Sequence, residues 1–120
     1  MDEVKGLFFD VGGTVFDWKN TVRGRVQELA EITGESVDGE ALANDWRTEM
    51  FKIHNQVRLG NLPWMNSDEM HLRALKNLST TYPILAGIDG IALIRSTWHQ
   101  LRAFAGAPEA INRLRTKYTV

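Results

Sequence analysis

Apolar and polar positions along the chain predict one short strand followed by a series of helices. Residues 4–9 crowd bulky apolar side chains together without helical spacing, as in a buried strand. Beyond residue 20, apolar side chains recur every three or four positions, as on the buried face of an amphipathic helix. The four stripes are Val22, Val26, Leu29 and Ala30; Leu42, Trp46, Met50, Ile53 and Val57; Met70, Ala74, Leu75 and Leu78; and Ile88, Ile91, Ala92, Arg95, Trp98 and Leu101.

Polar residues mark where these helices begin. Asp17 and Asp38 precede the first two stripes and are predicted N-caps, because a short carboxylate accepts hydrogen bonds from the first backbone amides of a helix. Asn66 and Glu69 have the spacing of a capping box for the third helix. Gly34 is predicted to end the first helix, since glycine readily adopts the left-handed conformation found there.

The last part of the chain predicts a return to the strand layer. Pro108 suits the first turn of a short fifth helix, and residues 118–120 resemble the opening of a second strand. The order of elements indicates an α/β fold in which four helices are inserted into a strand-helix-strand unit. We therefore expect a core formed by residues 1–17 and 103–120 and a helical cap formed by residues 18–102.

Composition restricts the class of protein. The 120 residues include 14 Lys and Arg, 15 Asp and Glu and no Cys, for a net charge of -1. This balance lacks the basic surface that nucleic acids and anionic membranes attract. Without cysteine there is no disulfide, thiolate metal site or cysteine nucleophile, and no apolar run approaches the roughly 18 residues of a membrane span. We expect a cytoplasmic protein with neither nucleic-acid nor membrane partners.

The segment between the strand and the first helix carries the candidate chemistry. Asp10 follows the apolar run, and Gly12 and Gly13 separate it from the hydroxyl of Thr14. A carboxylate at a strand end, followed by glycines that allow a sharp turn, is a common arrangement in open α/β active sites. The competing interpretation is that Asp10 only caps a turn.

Arg47 on the second helix is the candidate from the cap. Its guanidinium group is either solvated, paired with Glu49 or Asp45, or available to bind a substrate. Trp46 beside it is predicted to lie in the helical core. The three histidines share no metal-ligand spacing and are expected at the surface or at the cap interface.

The residues from Asp10 to Val15 resemble the first motif of the haloacid dehalogenase (HAD) superfamily. The residues that follow resemble its type II 2-haloacid dehalogenase branch, in Asp17-Trp18, Trp46-Arg47, residues 60–64, residues 68–73 and Trp98-His99. The resemblance implies a partial HAD-type, Rossmann-like core, consisting of the first strand, a late helix and the start of a second strand, with an inserted four-helix cap.

The resemblance also implies roles for individual residues. Asp10 would be the nucleophile that displaces halide from a small 2-haloalkanoic acid and forms an aspartyl ester, which water then hydrolyses. Val11, Gly12 and Thr14 would bind the substrate or the nucleophile through their amides and hydroxyl, and Arg47 would bind the substrate carboxylate or the departing halide. No cofactor is implied, and the partner would be a small carboxylate substrate.

The residue two positions after the nucleophile separates two reactions of the superfamily. Phosphatases carry an acid there that protonates the leaving alcohol, and Gly12 cannot do this. The alternative of a phosphatase-like hydrolase would require Mg²⁺ bound at Asp10. An alternative of another class is a non-catalytic fragment that associates through its cap helices.

The family pattern also includes a Ser or Thr after the second strand and a later Lys, for which residues up to Val120 supply no counterpart. We therefore expect the chain to be the N-terminal portion of such a protein, truncated before the second motif. On its own it is expected to show little or no turnover and to form a homo-oligomer.

Overall fold

Residues 3–120 are described in a computed structural model, so the first two residues of the predicted core segment 1–17 lie outside the described residues. Within residues 3–120 no helix is both long enough and apolar enough to cross a membrane. The elements are β1 (Phe16–Asp17), α1 (Trp18–Thr33), α2 (Gly39–Arg58), α3 (Ser67–Leu78), α4 (Gly90–Ser96), β2 (Arg102–Ala103) and α5 (Ala107–Leu114), with 3-10 turns at Pro83–Gly87 and Trp98–Gln100.

The helices begin at the predicted caps. The carboxylates of Asp17 and Asp38 each accept a hydrogen bond from a backbone amide three residues farther on, at the start of α1 and α2. Asn66 and Glu69 exchange side-chain and backbone hydrogen bonds of 2.8 and 2.9 Å before α3, which confirms the capping box. Gly34 has a φ of 73° and ends α1 in the left-handed conformation, as predicted.

The predicted stripes meet in one helical core. Leu42 and Trp46 of α2 have no exposed surface, and neither have Val22 and Val26 of α1. Because α2 packs between α1 and α3, its apolar face is covered on both sides. Four α-helices form this layer, and the expectation of a four-helix cap on a partial α/β core is confirmed. The remaining core residues are Trp18, Ala43, Ile53, Met65, Met70, Ala74, Leu75, Leu78, Ile84, Leu85, Leu93 and Ile94.

The fourth helix is shorter than its apolar stripe predicted. It ends at Ser96, and Thr97 takes a non-helical backbone conformation with φ -112° and ψ -85°. The fully buried hydroxyl of Thr97 donates 2.7 Å to the carbonyl of Leu93, so a local side-chain bond replaces the continuation of the helix. A 3-10 turn, Trp98–Gln100, then redirects the chain toward β2.

An antiparallel pair of short strands joins the entry and exit of the helical segment. Phe16 pairs with Ala103, and Asp17 pairs with Arg102. The hydroxyl of Thr21 donates 2.7 Å to the Asp17 carbonyl and accepts from the Arg102 amide at 3.1 Å, so it connects both strands to α1. This pairing was not predicted from the sequence.

The predicted buried strand at residues 4–9 is present only as a single parallel bridge, from Gly6 to Thr119. Two backbone hydrogen bonds flank it, from Leu7 to the Thr119 carbonyl at 2.8 Å and from Thr119 to the Lys5 carbonyl at 2.9 Å. The prediction of burial was wrong, because the pairing is confined to one residue and most side chains of the segment stay exposed. The parallel direction nevertheless agrees with an α/β core.

Candidate active site

Asp10 lies at the start of a compact loop that leads into β1. The carbonyl of Val11 accepts hydrogen bonds from the amides of Thr14, Val15 and Phe16, at 3.3, 2.9 and 3.0 Å. The Val11 carbonyl therefore accepts three hydrogen bonds, and these bonds fold the loop back on itself. This turn brings the hydroxyl of Thr14 next to the carboxylate of Asp10.

The loop holds one oxygen of the candidate nucleophile. The Thr14 hydroxyl donates 2.7 Å to Oδ2 of Asp10, and both residues are exposed. The amide of Gly13 donates 2.9 Å to a β1 carbonyl. Within residues 3–120, the amides of Val11 and Gly12 donate to no protein acceptor. With respect to residues 3–120, the loop thus presents one free carboxylate oxygen and two free backbone donors to an incoming molecule.

The two glycines of the loop differ in whether they tolerate a side chain. Gly13 has a φ of 84°, and a Cβ there would lie 3.5 Å from Nε1 of Trp18, whereas a Cβ on Gly12 would meet no atom within 4 Å. We expect Gly13→Ala to reduce the free energy of unfolding by about 1–2 kcal/mol, because an L side chain is strained at positive φ. Gly12→Ala is the matched control, with an expected change within about 0.5 kcal/mol. Urea denaturation measures both, and equal losses would contradict the loop conformation.

Arg47 lies on α2 with its guanidinium group against aromatic rings. Its Cζ atom is 4.6 Å from the ring centroid of Trp18 and 5.2 Å from that of Phe51. Glu49 and Asp45, the alternative partners considered above, accept hydrogen bonds from other side chains at 2.9 and 2.5 Å. Within the described part of the chain, no carboxylate oxygen lies within 4.0 Å of the Arg47 guanidinium. Its charge is therefore not neutralised by any acid among residues 3–120.

Trp18 connects Arg47 to the Asp10 loop. The same indole that lies against the guanidinium group borders Gly13, the residue before Thr14. Sequence reasoning missed this role because Trp18 and Arg47 are on different helices. The sequence does indicate that Arg47 lies beside the ring of Phe51, since the two residues are four positions apart and share one face of α2.

Trp18 is also one end of an aromatic cluster that includes Trp98, His71 and Trp46. Trp18 stacks on Trp98 at 5.9 Å, Trp98 stacks on His71 at 4.9 Å, and Trp46 meets both His71 and Trp98 edge-on at 5.6 and 5.7 Å. The surface or interface position expected for the histidines was wrong for His71, which is only 6% exposed. Its Nδ1 atom and the Nε1 atoms of Trp46 and Trp98 are buried and find no hydrogen-bond partner among the residues that the structure describes.

Comparison with solved structures identifies the fold. The sequence matches no protein-family model and no curated protein. The defluorinating L-2-haloacid dehalogenase Rha0230 superposes with a TM-score of 0.82 at 24% identity, over 96% of this chain and 48% of that protein. The L-2-haloacid dehalogenase PA0810 gives a TM-score of 0.79 at 26% identity, over 97% of this chain and 49% of that protein. The chain has the fold of L-2-haloacid dehalogenases.

The chain spans about half the length of these two dehalogenases, 48% and 49% respectively. The predicted resemblance to the HAD fold with a helical cap is therefore confirmed over nearly all of this chain. At such low identity the likeness establishes the fold.

The dehalogenase-fold loop contributes a single carboxylate, Asp10, from residues 10–14. One of its oxygens already accepts the Thr14 hydroxyl. Among residues 3–120, no three His, Asp or Glu side chains are grouped closely enough to hold a metal ion.

His71 predicts a pH dependence for the stability of this dehalogenase fold. Burial lowers the pKa of His71 from 6.5 to about 4, against a smaller opposing effect of Asp68 and a small additional lowering by His99. The unfolded chain therefore binds a proton on His71 at a higher pH than the folded chain does. The stabilisation is complete above about pH 6.5 and is lost as the pH falls toward about 4, by up to about 3 kcal/mol.

Urea denaturation at about pH 7 and about pH 4 measures this loss. His71→Phe keeps an aromatic ring in the cluster and removes the titrating group, so its stability should decline less over the same interval. His54, which is exposed, provides the control through His54→Gln. Equal pH dependence in wild type and His71→Phe would contradict the assignment to His71.

Proposed function

We propose that the chain acts in the hydrolytic dehalogenation of small 2-haloalkanoic acids, with Asp10 as the nucleophile. The observation that carries the proposal is the 2.7 Å hydrogen bond from Thr14 to Asp10, found in the fold of L-2-haloacid dehalogenases. It fixes the direction of the carboxylate while leaving the second oxygen open to attack a substrate carbon. A carboxylate that only capped a turn would accept bonds from backbone amides instead.

The reaction has two steps. In the first, the free oxygen of Asp10 forms a bond to the carbon that bears the halogen, and the halide leaves with the electron pair of the carbon-halogen bond. In the second, water adds to the carbonyl carbon of the aspartyl ester, releasing the 2-hydroxy acid, a proton and the carboxylate of Asp10. Thr14 keeps the carboxylate aligned for the first step through its hydrogen bond.

Binding of the substrate is assigned to the loop amides and to the cap. The free amides of Val11 and Gly12 donate to the substrate carboxylate, since two adjacent backbone donors suit an anionic group. Arg47 attracts the same carboxylate or the departing halide, because no carboxylate of residues 3–120 lies within 4.0 Å of its guanidinium group. Gly12 leaves open space beside the nucleophile and supplies no acid for a leaving alcohol.

The test compares two substrate classes on the same chain. Purified protein is incubated with 2-chloropropionate and, separately, with fluoroacetate, because one structurally similar enzyme is described as defluorinating. Halide release is followed by ion chromatography, and ester formation on Asp10 by intact-mass and peptide mass spectrometry. Phosphate release from an aryl phosphate, with and without Mg²⁺, is measured in parallel.

Because the chain on its own is expected to show little or no sustained turnover, the expected result is a slow, single ester-forming reaction at Asp10, with no more than one halide released per chain. Magnesium-dependent phosphate release without any reaction of the haloacids would overturn the proposal in favour of a phosphatase. Absence of both reactions in a folded chain would also count against it.

A further inference from the structure

We propose that Trp18 is a positioning residue that holds the guanidinium group of Arg47 beside the Asp10 loop. The inference rests on the proposed function, in which the guanidinium group of Arg47, fixed beside the Asp10 loop, receives an anionic group of the substrate. The contact between Trp18 and Arg47 can be tested without substrate. Trp18 contributes no reacting atom and acts through Arg47.

The Trp18 ring is a fixed support. It is 8% exposed, and its stack on Trp98 is nearly parallel, with an interplanar angle of 11° and a centroid distance of 5.9 Å. Trp18 is also the first residue of α1, directly after the N-cap Asp17. Phe51, the second ring against Arg47, is 62% exposed and has less surrounding protein to hold it. The position of the guanidinium group is therefore determined chiefly by Trp18.

The contact keeps the Arg47 charge available. A cation over an aromatic face is stabilised by the electron density of the ring without being neutralised. A carboxylate partner would occupy the same N–H groups that an anionic ligand needs. Because no such partner lies within 4.0 Å in the described residues, the N–H edge of Arg47 stays open for a ligand.

The Trp18 ring also connects the guanidinium group of Arg47 to the Asp10 loop. A Cβ on Gly13 would lie 3.5 Å from Nε1 and 3.9 Å from Cδ1 of Trp18, so the indole lies close beside the loop. Thr14, which holds Asp10, is the next residue. A shift of Trp18 would thus move Arg47 relative to Asp10. Holding a flexible arginine in place before binding also reduces the entropy lost when an anion binds.

Nuclear magnetic resonance of the Arg47 side chain provides a test without substrate. In the unmodified chain we expect nuclear Overhauser contacts between the Arg47 side-chain protons and the Trp18 indole, and a ring-current shift of the Nε–Hε signal. Trp18→Phe should keep part of this shift and Trp18→Leu should lose it. Trp64→Leu, at an 81% exposed tryptophan, is the matched control and should leave it unchanged.

Titration with propionate tests the consequence, because propionate carries the carboxylate and has no leaving group. We expect Trp18→Leu to weaken binding about tenfold and Trp18→Phe less than about threefold, with Trp64→Leu unchanged. Far-UV circular dichroism and melting curves establish that each variant is folded. If Trp18→Leu does not fold, the nuclear Overhauser contacts in the unmodified chain and the Trp18→Phe titration still test whether Trp18 positions Arg47.

The possible failures can be told apart. Missing contacts between Trp18 and Arg47 in the unmodified chain would overturn the positioning role, as would equal propionate affinity in wild type and folded Trp18→Leu. If the contacts are present but propionate leaves the Arg47 signal unchanged, the positioning contact stands and the proposed substrate-binding role of Arg47 is refuted.

Discussion

Asp10→Asn is expected to lower ester formation with 2-chloropropionate by at least about a thousandfold. The amide is a far weaker nucleophile than the carboxylate and cannot form the aspartyl ester. The substituted side chain still offers an oxygen to the Thr14 hydroxyl, so the loop should keep its conformation. Intact-mass spectrometry measures the ester directly, and ion chromatography measures the halide released.

Asp17→Asn is the matched control for this substitution. Asp17 is in the same segment, but its carboxylate caps α1, and asparagine is an equally good N-cap. Reaction and stability should therefore change little. Reaction in heavy-oxygen water gives a second readout, because hydrolysis of the ester leaves the label in the Asp10 carboxylate, from which it enters the product of a later turnover. Ester formation by Asp10→Asn at the wild-type rate would contradict the assignment of the nucleophile.

Trp46→Ala is expected to reduce the free energy of unfolding by about 4 kcal/mol. Trp46 has no exposed surface, and its ring meets those of His71 and Trp98 at 5.6 and 5.7 Å. Truncation leaves a large cavity at the centre of the helical core. A loss of this size is a large fraction of the free energy of unfolding of a typical domain, which is about 5–15 kcal/mol. Equilibrium urea denaturation, followed by far-UV circular dichroism, measures the change.

Trp64→Ala removes the same side chain from an 81% exposed position and serves as the control. Its expected effect is within about 0.5 kcal/mol. A similar loss in both variants would mean that burial does not determine their energetics, and the central place of Trp46 in the core would be wrong.

The first three helices were predictable because their signals are local. A cap such as Asp38 or Asn66 bonds to amides three residues away, so the sequence contains both partners of the interaction. The apolar stripe of α2 likewise identified Trp46 as a core residue, and the structure confirms it. The fold class followed from the order of these elements and from the resemblance.

The remaining features depend on residues that are far apart in sequence. The end of α4 is an exception, because the buried hydroxyl of Thr97 bonds locally to the Leu93 carbonyl and ends the helix, although the apolar stripe continued past Ser96. Burial of His71 requires rings contributed by α2 and by the turn after α4. For the candidate site, the sequence indicated the loop residues and Arg47, whereas the ring of Trp18 that joins them could not be inferred without the packing of α1 on α2.

The pairing of β1 with β2 places the two ends of the helical segment side by side. Phe16 and Ala103 are paired across the two antiparallel strands, so the segment between them starts and finishes at nearly the same place. An insert with adjacent ends can replace a hairpin turn in a host protein without stretching the host strands. We therefore expect that residues 16–103 can be inserted between two antiparallel strands of another protein. Replacing the insert by a two-residue turn would restore an ordinary β-hairpin in that protein.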